Sequence, residues 1–313
     1  MPDIAVLLLA HGTPEALEEI PEYLRNVTSG RSLPPAVVAE ITHRYSLIGK
    51  SPLTELTMEQ GRILAERIGL PVYVGMRNWK PYIADVVKQM RTDGVRRVVV
   101  ICLAPHNSRT SVGLYRRAAL AEAGDMEMVF VEGWADHPSL AAAFADRLRP
   151  AWEKLNAEIG APVPVLFTAH SVPCRTVQAA SPDASATPDP YPIEAKQTAA
   201  LVAARLPELK QWYFAFQSQG MSGGPWLGPT VEETLAAIHA EGNKAILLQP
   251  IGFLCDHVEI LFDVDILFRQ HAAKLGLRLE RPVSLNASPL LIEALADLAQ
   301  KAIGQFSWGV SSN

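Results

Sequence analysis

The chain has 313 residues, of which 49% are apolar and 19% are charged, and 28 basic against 33 acidic side chains give a net charge of -5. A chain of this length and apolar content buries a large core, which excludes a disordered protein and a small disulfide-stabilised one. The acidic balance excludes the basic surface of a nucleic-acid-binding protein, so we expect no nucleic-acid partner.

Short apolar runs alternate along the chain with longer amphipathic stretches. The apolar runs predict buried parallel strands over Ile4–Leu9, Pro71–Met76, Arg97–Leu103, Glu127–Val131, Val163–Phe167, Trp212–Phe216 and Ala245–Gln249. The amphipathic stretches predict helices over Leu53–Ile68, Pro81–Arg91, Pro138–Ile159, Ile193–Leu206, Thr230–Glu241 and Pro289–Ile303. This alternation predicts an α/β fold with mainly parallel sheets flanked by helices.

The two halves of the chain share a short pattern. Residues 5–14 read AVLLLAHGTP and residues 164–173 read PVLFTAHSVP, an apolar strand that runs into Ala-His-x-x-Pro each time. Chance similarity of two strand ends is the alternative, and the division does not depend on the pattern. Together with the length, it predicts two similar α/β domains, residues 1–158 and 159–313, with a boundary near Glu158–Pro162.

Cysteine usage and hydropathy indicate a reducing compartment. Cys102, Cys174 and Cys255 are far apart and form no Cys-x-x-Cys pair, which predicts free thiols and neither a disulfide framework nor a zinc site. The strongest apolar run, Ile4–Ala10, is too short to span a membrane and follows no basic segment, unlike a signal peptide. We therefore expect a cytoplasmic protein.

One long irregular stretch, Cys174–Pro192, is typical of a functional loop.

Histidines follow several predicted strands directly. In open parallel sheets, ligands bind beyond the carboxyl ends of the strands. Three of the eight histidines, His11, His106 and His170, lie at such ends. Any one of them alone is more often structural, so their shared position makes them candidates for a common site.

The segment after the last predicted strand carries a stripe of carboxylates. Asp256, Glu259 and Asp263 have spacings i, i+3 and i+7, which predict one face of a helix whose other residues are largely apolar. Buried carboxylates need protons, metal ions or partner groups, whereas an exposed helix edge is the alternative. A histidine with such carboxylates can bind a divalent metal or transfer protons.

Zinc-protease and phosphate-loop motifs do not occur in the sequence. The glycine-rich segment Gly220–Pro229 predicts a rigid turn.

Together these residues resemble the ferrochelatases, lyases that insert Fe²⁺ into a porphyrin in haem biosynthesis. The similarity extends over nearly the whole chain and lies in the blocks Leu7–Pro14, Arg44–Tyr45 through Ser51–Leu53, Leu103–His106, Ala169–Pro173, Phe216–Ser218, Pro225–Pro229 and Gly252–Glu259. The resemblance implies two Rossmann-like domains with a porphyrin cleft between them, the second domain carrying the catalytic histidine and glutamate.

The resemblance also implies roles for individual residues. His170 and Glu259 would be catalytic and would bind the metal, and Asp263 would continue the acidic metal track. The implied porphyrin-binding residues are His11, Arg44, Tyr45, Ser51, Tyr115 and Trp226. Matches at Arg44, Ser51 and Tyr115 favour coproporphyrin III, with protoporphyrin IX a close alternative. A tetrapyrrole carrier without insertion activity, and a cobalt or nickel chelatase for another tetrapyrrole, also stay open.

Some positions depart from the family pattern. Position 11 is His where relatives commonly have Tyr, and we hypothesise that His11 ligates iron in the product from the side opposite His170. Arg77–Pro81 differs from several relatives, and Leu267 replaces an acid, which shortens the acidic track. Three scattered cysteines are too few for the iron–sulfur cluster of some relatives. We expect a monomer without a membrane span that needs no cofactor beyond its substrates, Fe²⁺ and a porphyrin.

Overall fold

Two parallel four-stranded sheets form the framework in a computed structural model that describes residues 3–178, 188–220 and 223–306. The strands are β1 (Ile4–Ala10), β2 (Val72–Met76), β3 (Arg97–Cys102), β4 (Glu127–Val131), β5 (Val165–His170), β6 (Trp212–Gln217), β7 (Ala245–Pro250) and β8 (Arg278–Glu280). The order is β2-β1-β3-β4 in the first sheet and β6-β5-β7-β8 in the second. The two sheets thus repeat one topology, which confirms the predicted class of two similar Rossmann-like halves.

Helices cover both faces of each sheet. They are α1 (Ile20–Val27), α2 (Pro35–Ile48), α3 (Leu53–Ile68), α4 (Ile83–Thr92), α5 (Val112–Leu120), α6 (Pro138–Ile159), α7 (Cys174–Val177), α8 (Tyr191–Ala203), α9 (Val231–Ala240), α10 (Arg269–Lys274) and α11 (Pro289–Ile303). A 3₁₀-helix spans Leu17–Glu19, and a π-helix spans Glu259–Phe268. The pattern did not predict α1, α2, α5, α7, α10 or β8, whose apolar periodicity is short or interrupted by charged residues.

One apolar core joins the two halves. The inner faces of both sheets pack against α3, α6, α8 and α11, so that Leu8 and Phe167 belong to the same buried cluster. Helix α6 contacts β7 and α8 of the second half, whereas the last helix, α11, contacts α3, β3 and β4 of the first. Each fully buried Leu or Phe contributes about 1.5–3 kcal/mol. The boundary at residue 158 stays a prediction, because these helices cross between the halves.

The outer faces are covered by separate groups of helices. The helices α4 and α5 pack on the first sheet, and α9, α10 and the π-helix pack on the second. Between β1 and β2, the α1–α2 segment forms a small cluster around Ile20, Tyr23, Tyr45 and Trp79, and α2 contacts the π-helix. This segment therefore reaches from the first half to the second across one end of both sheets.

The cysteines and the irregular segments follow the sequence predictions in part. Cys102, Cys174 and Cys255 are free thiols, as predicted, and burial raises the pKa of Cys102 and of Cys255 to about 12. The predicted irregular stretch Cys174–Pro192 includes α7 and the first residues of α8, and residues 179–187 lie outside the described part. Within the described ranges, the helices are too short or too polar to cross a bilayer.

Candidate active site

A cavity of about 380 Å³ lies at the carboxyl ends of β1, β3, β5 and β7. Its volume falls in the range of roughly 300–1,000 Å³ that is usual for small-molecule sites. Both halves line it: His11, His106 and Tyr115 come from the first, and His170, Trp226 and Glu259 come from the second. The three strand-end histidines therefore meet in one cavity, as their positions predict.

His170 and Glu259 form the charged centre of the cavity. His170 is the last residue of β5, and Glu259 is the first of the π-helix. His170 Nε2 lies 3.5 Å from Glu259 Oε1, and the two side chains are 32% and 33% exposed, so both reach the cavity. The Tyr191 hydroxyl donates a hydrogen bond of 2.8 Å to the His170 carbonyl. Imidazole nitrogen and carboxylate oxygen are donors that suit a divalent transition metal.

A second imidazole flanks the same carboxylate. His257 Nε2 lies 3.8 Å from Glu259 Oε2, and the His257 Nδ1–H donates to the Cys255 carbonyl at 3.0 Å. The Phe253 ring centroid lies 4.4 Å from that of His257 and 6.3 Å from that of His170. Glu259 is thus placed between two histidines whose rings are held by one aromatic side chain.

The neighbours of Glu259 shift the charge state of the pair. Burial opposes ionisation of Glu259, but the imidazoles of His170 and His257 outweigh it and hold the pKa of Glu259 well below its ordinary value. Burial likewise opposes protonation of His170, but the Glu259 carboxylate outweighs it and raises the pKa of His170. Glu259 is therefore a carboxylate at neutral pH, next to an imidazole that binds a proton more readily than usual.

Asp263 lies four residues along the π-helix from Glu259. It is buried and accepts a hydrogen bond from the Ser218 hydroxyl, and Arg44 Nη1 lies 3.8 Å from its Oδ1. Burial, followed by repulsion from Glu259, raises the pKa of Asp263 to about 6. Its carboxyl group can therefore gain or lose a proton near neutral pH.

The predicted carboxylate face over Asp256, Glu259 and Asp263 is wrong for Asp256. The α-helical spacing does not apply there, since the π-helix begins only at Glu259. The Asp256 carboxylate instead accepts from the Ser284 hydroxyl at 2.7 Å and pairs with Arg281 at 3.1 Å. Asp256 is therefore a structural anchor beside the site.

The wall from the first half is neutral and aromatic. His11 Nε2 lies 3.1 Å from the Tyr23 hydroxyl, and Asn78 Nδ2 lies 3.1 and 3.2 Å from the two ring nitrogens of His11. His11 opens onto the cavity, where shielding from bulk water lowers its pKa to about 4. Gly12 makes the turn after β1 possible, since its φ is +85° and a Cβ there would lie 2.9 Å from Trp79 N.

The other predicted porphyrin-binding residues divide into two groups. Tyr45, Tyr115 and Trp226 line the cavity, with the Tyr45 hydroxyl 3.2 Å from Thr13 Oγ1. Arg44 lies at the edge of the site instead, 3.0 Å from Glu40 and 5.1 Å above the Phe262 ring. The buried Ser51 hydroxyl has no hydrogen-bond partner within the described part of the chain.

Sequence reasoning missed four residues that shape the cavity: Tyr23, Tyr191, Phe253 and His257. Tyr23 lies on α1, which the pattern did not predict, and Tyr191 is the first residue of α8, from which its hydroxyl reaches the His170 carbonyl. Phe253 and His257 follow β7 closely, so their position after a strand was a usable signal.

The chain is similar to known proteins over nearly its whole length. A sequence model of the family described as Ferrochelatase matches residues 3–303. A protein named Ferrochelatase from Acidobacterium capsulatum is 67% identical over 306 residues, which cover 96% of this chain and 94% of that protein. A protein named Coproporphyrin III ferrochelatase from a Geobacillus species is 31% identical, with 96% and 98% covered.

A solved structure shows a similar fold at much lower identity. The structure of SirB from Bacillus subtilis with Fe3+ has a TM-score of 0.57 and 12% identity, and the match covers 98% of this chain and 99% of that one. At this identity the match shows a shared two-domain architecture alone.

Proposed function

The chain belongs to the ferrochelatase family, whose members insert a metal ion into a porphyrin for haem synthesis, and from that premise we propose that it inserts Fe²⁺ into coproporphyrin III. His170 and Glu259 are the proposed catalytic and metal-binding residues. The observation that carries this proposal is their 3.5 Å pairing inside a cavity between the ends of two parallel sheets.

The reaction needs a base and a metal ligand at the same point. Fe²⁺ and a porphyrin with two pyrrole N–H groups yield the iron porphyrin and two protons. In the proposed mechanism, neutral His170 accepts a pyrrole proton, and the Glu259 carboxylate helps to remove water from the approaching cation. Glu259 keeps its negative charge at neutral pH, so it attracts the dication before insertion.

Asp263 is the proposed next member of the path. Its pKa of about 6 allows it to take a proton that leaves the pair, and its carboxylate is the next one along the π-helix. Arg44 approaches its Oδ1 to 3.8 Å, which favours the charged form. Leu267 follows on the same π-helix and offers no further carboxylate, so the track ends at Asp263 on this side.

The choice of porphyrin depends on the rim of the cavity. Coproporphyrin III carries four propionates and protoporphyrin IX carries two, so more anionic groups need partners at the rim. Arg44, with a bidentate guanidinium, and the Tyr115 and Ser51 hydroxyls are the proposed partners. The relative named Coproporphyrin III ferrochelatase supports this choice. Tyr45, Trp226 and His11 are the proposed contacts to the flat macrocycle.

The proposal also covers the compartment, the oligomeric state and the cofactor content of the protein. Three free cysteines are typical of a reducing compartment, and we propose the cytoplasm. We propose a monomer, which sedimentation can test. An iron–sulfur cluster needs four cysteine ligands, so we propose no resident cofactor.

The test is anaerobic metallation of coproporphyrin III and protoporphyrin IX by Fe²⁺, followed by absorption. We expect faster turnover of coproporphyrin III, and a loss of roughly 10²-fold or more in His170→Ala, since the proposed base is removed. His43→Ala, which removes an exposed histidine of α2, is the matched control and should keep wild-type turnover.

Each alternative has its own outcome. Tight porphyrin binding by the wild type without metallation of either substrate would favour the carrier. Faster turnover of protoporphyrin IX would reverse the substrate assignment, and a clear preference for Co²⁺ or Ni²⁺ over Fe²⁺ would reverse the metal assignment. Full activity of His170→Ala would contradict the catalytic role.

A further inference from the structure

A short loop after β8, residues 281–286, contacts the chain on both sides of Glu259. The Arg281 guanidinium binds Asp265 through two hydrogen bonds of 2.7 Å, from Nε to Oδ1 and from Nη2 to Oδ2. The same Nη2 lies 3.1 Å from Asp256 Oδ1. Asp256 precedes Glu259 in the chain and Asp265 lies within the π-helix, so one guanidinium connects the two ends of the segment that holds Glu259.

The loop itself is firmly anchored. The Ser284 hydroxyl donates to Asp256 Oδ1 at 2.7 Å, and Asn286 Nδ2 donates to Asp256 Oδ2 at 3.1 Å. The backbone N–H of Asp256 donates in return to Asn286 Oδ1 at 2.9 Å, and Gln60 of α3 donates to the Asn286 carbonyl at 2.6 Å. The loop is therefore tied to the first half of the molecule as well as to Asp256.

The Glu259 side chain has no comparable support. Its Oε1 is 3.5 Å from His170 Nε2, and its Oε2 has no hydrogen-bond partner among the described residues. The direction of this side chain is therefore set by the backbone at the first turn of the π-helix. Such turns are rare and are frequently found at functional sites, and we expect contacts from outside the helix to help hold this one.

The ion pairs of Arg281 engage Asp256 and Asp265 and do not engage the Glu259 carboxylate. The side chains of Arg281, Asp256 and Asp265 are 11%, 17% and 23% exposed, so water screens their interaction little. A bidentate pair between arginine and carboxylate is strong and directional. In the described part of the chain, Glu259 is paired with histidines and with no arginine, whereas Arg281 neutralises its two acidic neighbours.

We propose that Arg281 is a positioning residue, which joins Asp256 to Asp265 across the start of the π-helix and thereby aims the Glu259 carboxylate at His170. The inference rests on the proposed roles of His170 and Glu259 in metal insertion. It assigns to Arg281 no contact with the porphyrin or the metal, because its guanidinium is engaged by the two aspartates outside the cavity.

The test compares Arg281→Lys with Arg278→Lys. Lysine keeps the positive charge of Arg281 but loses the planar fork that grips Asp265. Arg278 is the matched control, since it also contacts two carboxylates, those of Glu158 and Glu280, but lies on the surface of β8. The measurements are kcat and the porphyrin KM for Fe²⁺ insertion, with the melting temperature of each purified protein.

A misplacement of about 1 Å at a reacting group can cost on the order of 100-fold, so we expect kcat of Arg281→Lys to fall by roughly 10- to 100-fold. The porphyrin KM should stay within about twofold of wild type, because the cavity wall is unchanged. Arg278→Lys should keep wild-type values. Asp265→Asn weakens the same Arg281–Asp265 pair by removing the charge of its acceptor, so it should lower kcat as well. If Arg281→Lys does not fold, the kcat of Asp265→Asn tests the inference.

Two results would overturn the inference. One is wild-type kcat per folded molecule in Arg281→Lys or in Asp265→Asn. The other is a raised porphyrin KM with kcat unchanged, which would place Arg281 in substrate binding. A loss of activity in His170→Ala with none in the Arg281 variant rejects this inference alone. Full activity of His170→Ala rejects the proposed function and this inference together.

Discussion

His11 and His170 lie at the carboxyl ends of equivalent strands of two sheets with the same topology, yet their surroundings are opposite in character. His11 is next to the hydroxyl of Tyr23 and the amide of Asn78, and its pKa is lowered to about 4. His170 is next to the carboxylate of Glu259, and its pKa is raised. The same Ala-His-x-x-Pro sequence therefore carries a neutral imidazole on one wall of the cavity and a proton-binding imidazole on the other.

The difference comes from what the chain inserts beside each strand. Helices α1 and α2 follow β1: α1 brings the Tyr23 hydroxyl to 3.1 Å from His11, and Tyr45 of α2 packs against the Tyr23 ring. The π-helix follows β7 and begins with Glu259, directly beside β5 and His170. The repeated sheet topology thus places the two histidines at equivalent positions. The segments that pack beside them, α1–α2 and the π-helix, determine which side chains each histidine contacts.

The largest expected effect is in Glu259→Gln, which makes the charged wall as neutral as the opposite one. We expect kcat for Fe²⁺ insertion to fall by about 10²–10⁴-fold, because glutamine removes the charge that attracts the dication and that raises the proton affinity of His170, the proposed base. Glu66→Gln, which changes an exposed glutamate of α3 that pairs with Arg62, is the matched control. If Glu259→Gln kept more than a tenth of wild-type activity, the Glu259 carboxylate would not be the feature that makes the second-half wall of the cavity catalytic.

The pH dependence of activity sharpens the same contrast. In the proposed mechanism only the neutral form of His170 accepts a pyrrole proton, and Glu259 raises the pKa of His170 above the ordinary value of 6.5. Wild-type kcat/KM should therefore fall about tenfold per pH unit below a midpoint that lies above pH 6.5. The remaining activity of Glu259→Gln should have its midpoint at lower pH. A midpoint that does not move would show that a group other than His170 controls the profile.

His106, which follows β3, is a second neutral histidine of the first half, and its burial should make folding stability depend on pH. It is buried against Thr198 at 2.9 Å, and burial lowers its pKa from 6.5 to about 3. Between these two pH values the unfolded chain binds a proton that the folded chain does not, so the free energy of unfolding should fall by up to about 1.4 kcal/mol per pH unit as pH decreases.

Denaturant unfolding at pH 7 and pH 5 measures this contribution. The wild type should lose about 2 kcal/mol more than His106→Gln between the two conditions, because glutamine does not titrate. His43→Gln, which removes an exposed histidine of α2, is the matched control for the loss of a histidine. Equal slopes for the wild type and His106→Gln would show that folding does not lower the pKa of His106.

The smallest effect on turnover is expected for His11→Ala. We expect less than about a threefold change in kcat, because His11 is not the proposed base and forms no ion pair with Glu259 in the described part of the chain. The absorption spectrum of bound haem should change if His11 ligates the product iron. Tyr23→Phe, which keeps the imidazole, should keep the wild-type spectrum. An unchanged spectrum in His11→Ala would reject the ligand hypothesis.

The sequence predicted the parts of the site that follow local patterns. Apolar runs such as Ile4–Ala10 and Ala245–Pro250 showed where strands end, and this placed His11, His106 and His170 at one edge. The prediction for Asp256 was wrong because it assumed α-helical spacing, whereas the π-helix begins at Glu259. Strand β8 was missed, since two of its three residues are charged and its length gives no periodicity.

The sequence by itself determined the two repeated sheets, the strand ends and, through its family resemblance, the pairing of His170 with Glu259. These features depend on side-chain periodicity and on blocks of adjacent residues, which are local properties of the chain. Only the tertiary structure decided that Tyr23 faces His11, that His257 flanks Glu259, and that Arg281 joins Asp256 to Asp265. Such contacts depend on how distant segments pack, because charge states and side-chain directions are set by neighbours in space.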